Sequence, residues 1–150
     1  MVSDPEILAV GFRLGLVERD EIISWADSRI LEMSQPPAEL IDLALMSDSH
    51  AQDILGKLGE LSNEVSPLAA LPAAFFRYTH RLRDRPELGP EVANGLWSLA
   101  VEANYDVPEE LSPIFGFDED YWLAMSGTFG KESDVHASLL SFCETIALDA

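Results

Sequence analysis

The chain has 150 residues, 47% of them hydrophobic, and 27 Asp plus Glu stand against 9 Lys plus Arg, a formal net charge of −18. So acidic a surface repels nucleic-acid phosphates and anionic lipid, which argues against DNA, RNA or membrane-surface binding and leaves basic proteins, cations and neutral ligands. Seven Phe, three Trp and three Tyr accompany the carboxylates, enough apolar material to exclude a disordered acidic tail, and the length is that of one domain, expected over residues 1–150.

In chain order, apolar periodicity predicts helices at about 4–15, 18–33, 37–46, 49–61, 67–84, 90–104, 108–115, 118–126 and 132–147. Many of these starts carry Pro followed at once or nearly so by Glu, as at Pro5-Glu6, Pro86-Glu87, Pro90-Glu91 and Pro108-Glu109. Proline suits the first turn because its missing N–H would be unpaired there, and Glu favours the positive end of the helix dipole. Ser3 and Glu6 have capping-box spacing. Gly15 is placed to cap the first helix, Asp48 to cap the fourth, and Pro72 to kink or split the fifth.

Stripes at 3.6-residue spacing run through Ile54, Leu55 and Leu58, through Val92, Leu96 and Leu99, and through Leu139, Cys143 and Ile146. No stretch alternates with a period of two. The expectation is an all-α, single compact domain of about seven to nine helices. The longest run without a charge, residues 65–76, is broken by two prolines and too short to span a bilayer. With one cysteine and no signal-like apolar segment near Met1, the expected setting is the cytoplasm.

Charge is unevenly placed. Residues 65–85 hold Arg77, Arg81, Arg83 and Arg85 against Asp84 alone, whereas residues 86–130 hold nine acids and no Lys or Arg. The arginines are expected to pair with carboxylates of neighbouring helices. In the base-free block, Glu109, Glu110, Asp118, Glu119 and Asp120 are interleaved with aromatics, among them Tyr121 and Trp122. Aromatic anchors ringed by charge of one sign are the pattern of an electrostatically steered protein interface. Those seven residues are the candidate partner-binding set; the competing expectation is that the aromatics face the core and the acids are a solvated face.

Catalytic patterns are weaker. Glu18 and Glu21 followed by Glu39 and Asp42 place carboxylates at helix-face spacing, which resembles the ExxE and ExxD pattern of MazG-like, all-α nucleoside triphosphate pyrophosphohydrolases. The resemblance covers about 25 residues and four positions, and implies Mg²⁺ held on a nucleotide's phosphates. Pro36-Pro37 puts Glu39 in a first turn, where Glu has a capping reason to occur, and no cluster of basic residues lies nearby for a triphosphate. His50, His80 and His136 are scattered, without the spacing of a zinc site. Cys143 lies on an apolar stripe, and no cofactor motif is present. The sequence therefore points to an acidic protein-binding module. The most concrete form is an inhibitor or bacterial immunity-type protein that neutralises a basic toxin or nuclease, with the Mg²⁺-dependent hydrolase as the alternative.

Overall fold

The computed structural model describes residues 2–63 and 66–150. Among them are eight α-helices: α1 (Asp4–Arg13), α2 (Arg19–Glu32), α3 (Ala38–Ala44), α4 (Ala51–Leu61), α5 (Leu71–Asp84), α6 (Gly89–Glu102), α7 (Phe117–Met125) and α8 (Glu132–Ala147). Short 3₁₀ turns occupy Pro67–Ala70, Pro86–Leu88 and Glu109–Phe115, and no strand occurs among the described residues. The fold is all-α, as the apolar periodicity predicts.

Local chemistry explains most boundaries. Glu6 folds back on Ser3 at the start of α1: the Ser3 hydroxyl donates to its carboxylate at 3.0 Å, and the Asn63 amide reaches the same group at 2.8 Å. One carboxylate thus closes the N-terminus of α1 and ties it to the chain leaving α4. Gly15, at φ +75°, ends α1 in the left-handed conformation that favours glycine. Pro72 stands in the first turn of α5, where the 3₁₀ turn hands over to the α-helix. Helix α4 begins later than its sequence suggests, with His50 rather than Asp48 at the cap. Residues 109–115 are 3₁₀ rather than α: Pro113 lies inside the segment, where in an α-helix its ring would clash with the Glu109 carbonyl, and Leu111 and Ile114 are buried.

Helix α5 is the hub, packed on α8 along one side and on α1 along another. Helices α2, α3 and α4 follow one another as a flank that joins the rest through α4 on α1, while α7 and the 109–115 turns cover α6. The interior is sealed by Leu14, Phe75, Leu82, Leu96, Ile114 and Leu139, with Phe142 edge-on to Phe75 and tilted against Phe117.

Ion pairs stitch these layers. Arg81 grips Glu21 with two bonds of 2.6 and 2.7 Å, donates to the Leu16 carbonyl at 2.8 Å and lies 4.9 Å from the centre of the Tyr78 ring. Arg77 pairs with Asp4, Arg83 with Glu144 and Arg13 with Glu102. The arginine-rich helix is thus used inside the molecule, as its spacing on so acidic a chain suggests. No described helix is long and apolar enough to cross a membrane.

Candidate protein-binding face

Helix α7 decides which of the candidate residues reach solvent. Adjacent residues on a helix point about 100° apart, so Tyr121 and Trp122 cannot share a direction. Phe117 and Tyr121, one turn apart, turn inward; Tyr121 is 3% exposed. A β-carbon added at Gly89 would stand 2.1 Å from the Tyr121 hydroxyl, so only glycine lets α6 come this close. The same hydroxyl lies 3.5 Å from His136 Nδ1 on α8, and burial pushes its pKa up to about 12. Tyr121 is a core pillar between α6, α7 and α8, and its ring is not available on the surface.

With that face inward, Trp122 is turned out. It is 66% exposed, and Met125 and Phe129 follow at 58% and 77%. The spacing 118, 122, 125 is one helical stripe, and the turn after α7 carries Phe129 onward from it. That turn is fixed by the Phe129 amide donating to the Leu123 carbonyl at 3.1 Å, by a 2.8 Å bond between the Ser126 and Thr128 hydroxyls, and by Gly127 at φ +74°. Asp118 is half-buried, and Glu119 and Asp120 are exposed, all in the first turn of α7. The helix dipole explains carboxylates in a first turn, but it does not explain three large apolar side chains left in water beyond them.

Glu109 and Glu110 are exposed at the start of the 3₁₀ segment, whose Leu111 and Ile114 are buried and which packs against α7 and α6. Of the nine acids between residues 86 and 130, only Glu87 and Glu102 make an ion pair among the described residues. The structure therefore sets Asp118 on the Trp122 stripe and Glu119 next to it, turns Asp120 about 160° round the helix from Trp122, and removes Tyr121 to the interior. Met125 and Phe129 join the exposed face. The position of Met125 three residues after Trp122 was the available signal for it; Phe129 lies beyond the helix and left none.

The four carboxylates of the pyrophosphohydrolase-like pattern have other partners or none in common. Glu21 is held by Arg81 and accepts the Glu18 amide at 3.1 Å; Asp42 is 3.3 Å from Lys57 Nζ; Glu18 is exposed at the cap of α2; and Glu39 is in the first turn of α3. Among the described residues no three His, Cys, Asp or Glu side chains are grouped so as to hold a metal ion. Cys143 is fully buried in α8, and burial pushes its thiol pKa far up, which leaves it unionised.

Clefts also mark the surface among the described residues. An open groove of about 870 Å³ runs between α4 and α6 over α1, past Gly56, Gly59, Gly95 and Glu91. A smaller one, about 590 Å³, lies between the end of α1, the start of α2 and the end of α5, with the Arg81–Glu21 pair in its wall. The chain matches no protein-family model, and no curated protein or solved structure is significantly similar to it.

Proposed function

We propose that this protein is an acidic protein-binding module that neutralises a basic partner, of the toxin or nuclease kind, by docking through the outer face of α7. The observation that carries the reading is the exposed stripe of Trp122, Met125 and Phe129, set beside carboxylates that have no cation of their own. A nuclease presents a cationic cleft shaped for phosphate. Carboxylates at Glu109, Glu110, Asp118, Glu119 and Asp120 would compete for such a cleft and speed the encounter, while Trp122 supplies the desolvated anchor. In this role no metal or cofactor is needed, and the inhibitor acts where its target must be silenced, in the cytoplasm of the producing cell.

The test is capture of a basic partner from the protein's own cells at about 0.1 M salt, followed by affinity measurement with variants. Trp122→Ala should weaken binding by roughly 30-fold or more, while the triple variant Asp118→Asn/Glu119→Gln/Asp120→Asn should chiefly slow association and flatten its salt dependence. Leu31→Ala, at a still more exposed apolar residue on α2, should bind as the parent does. The captured partner's enzymatic activity should fall in proportion to complex formed. Trp122→Ala should keep the parent stability to within about 0.5 kcal/mol, whereas Tyr121→Ala, which empties a core position, should lose about 3 kcal/mol or more. Binding that ignores Trp122→Ala refutes the reading.

A further inference from the structure

Where α6 ends, the backbone does something its packing does not require. The Asn104 amide donates to the Val101 carbonyl and the Tyr105 amide to the Ala100 carbonyl, both at 2.9 Å, which is the paired closure of a Schellman motif. That motif asks for one left-handed residue, and Asn104 at φ +55° serves, since asparagine tolerates the conformation. Tyr105 is left-handed as well, at φ +62°. For a bulky residue that conformation is strained. Burial does not repay it, because Tyr105 is 59% exposed.

The strained turn does have one result. It holds the Tyr105 ring 6.0 Å from Trp97 on α6 and 6.4 Å from Phe115 at the end of the 3₁₀ segment, with Trp97 and Phe115 themselves 6.4 Å apart. The three centroids form a near-equilateral triangle, with Trp97 and Phe115 half-buried behind an exposed Tyr105. Tyr105 and Phe115 lie 28° from parallel, and Trp97 is tilted 55° and 76° to them; a cation above the middle of the triangle lies within about 6 Å of all three centroids, the range over which a ring attracts a cation that its face meets. Asp106 is exposed beside it, Glu109 and Glu110 follow, and no Lys or Arg lies between residues 86 and 130. Elsewhere Arg81 sits over the single ring of Tyr78, and among the described residues that is the only cation on a ring.

We propose that Trp97, Tyr105 and Phe115 form a seat for an arginine side chain of the basic partner. Arginine fits because its flat, weakly hydrated guanidinium stacks on aromatic faces. This extends the docking reading by naming a second contact, but its test does not depend on having the partner.

The probe is N-acetyl-arginine amide, with the neutral isostere N-acetyl-citrulline amide as its control, titrated into protein carrying ¹⁵N-labelled tryptophan. The Trp97 indole signal should shift saturably with the arginine probe, at an affinity roughly 3- to 30-fold above that of citrulline. Tyr105→Leu, which keeps an apolar side chain but no π face, should erase the difference, and Tyr105→Phe should preserve it. Equal affinity for the two probes, a Trp97 signal that does not move, or undiminished discrimination in a folded Tyr105→Leu protein overturns the proposal. A positive titration alongside failed partner capture would sink the docking reading and leave the arginine seat standing. The converse result would do the opposite.

Discussion

Gly95 offers the sharpest check on how α6 crosses α1. A β-carbon there would lie 2.7 Å from the Arg13 carbonyl oxygen, 2.9 Å from Leu14 Cδ2 and 3.1 Å from Leu14 Cα. Two of those three atoms are backbone, and Leu14 is fully buried, so neither a rotamer change nor a shift into solvent relieves the clash. Alanine would gain about 1 kcal/mol of helix propensity over glycine, while overpacking a filled site costs typically 1–3 kcal/mol. With backbone as the obstacle the upper end applies, and Gly95→Ala should lose about 1–2 kcal/mol net. Gly56 and Gly59 on α4 supply the internal control, since a β-carbon at either meets no atom within 4 Å. Each change to alanine should gain about 0.5–1 kcal/mol. Urea unfolding followed by far-UV circular dichroism reads all three, as shifts of midpoint at constant slope, and in a chain of this size each kcal/mol moves Tm by about 2–4 °C. Should Gly95→Ala stabilise as Gly56→Ala does, α1 and α6 do not meet as described.

Two further predictions concern titratable groups. Burial pushes the Glu21 carboxyl up, yet hydrogen bonds from Arg81 and the Glu18 amide outweigh it and hold the pKa below its ordinary value. A carboxyl lowered on folding contributes stability that is complete above its unfolded pKa and lost as pH falls through the folded one. Acidification below about pH 4 should therefore destabilise the protein, and Glu21→Gln should remove on the order of 1 kcal/mol of that loss, a figure already reduced for the pair's partial exposure. An acid limb of unchanged size in Glu21→Gln would exclude the pair as its source. Cys143 is predicted to react with an aromatic disulfide reagent only as fast as the helix core opens, and at the free-thiol rate in about 6 M guanidinium chloride. Rapid labelling of the native protein would contradict its burial.

The sequence carried the helices well because their signals are local. Stripes such as Val92, Leu96 and Leu99 are buried as spaced, Gly15 caps α1, and Arg77, Arg81 and Arg83 find carboxylates on α1, α2 and α8. The 109–115 segment was legible as a start at Pro108 but not as 3₁₀, since Pro113 and the packing of Leu111 and Ile114 decide that jointly. The candidate face was legible in part. Its acids are a matter of composition, but grouping Tyr121 with Trp122 ignored the angle between neighbours on a helix. Choosing which of the two is buried needed the tertiary contact with Gly89. The groove between α4 and α6 left no trace, because it depends on where two sequence-distant helices are set upon α1.

The base-free span also dictates how this surface can be footprinted. Proteases that recognise a cation at the cut find no site between Arg85 and Lys131, and Pro86 blocks cleavage after Arg85 itself. Tyr105, the 3₁₀ segment and all of α7 therefore leave a tryptic digest in one long peptide, and a partner seated there would shield nothing that trypsin cuts. Glutamate-directed cleavage has exposed targets at Glu109, Glu110 and Glu119. Protection on these three bonds, with cutting after the distant and equally open Glu18 unchanged, would map an occupant to this face without a single substitution.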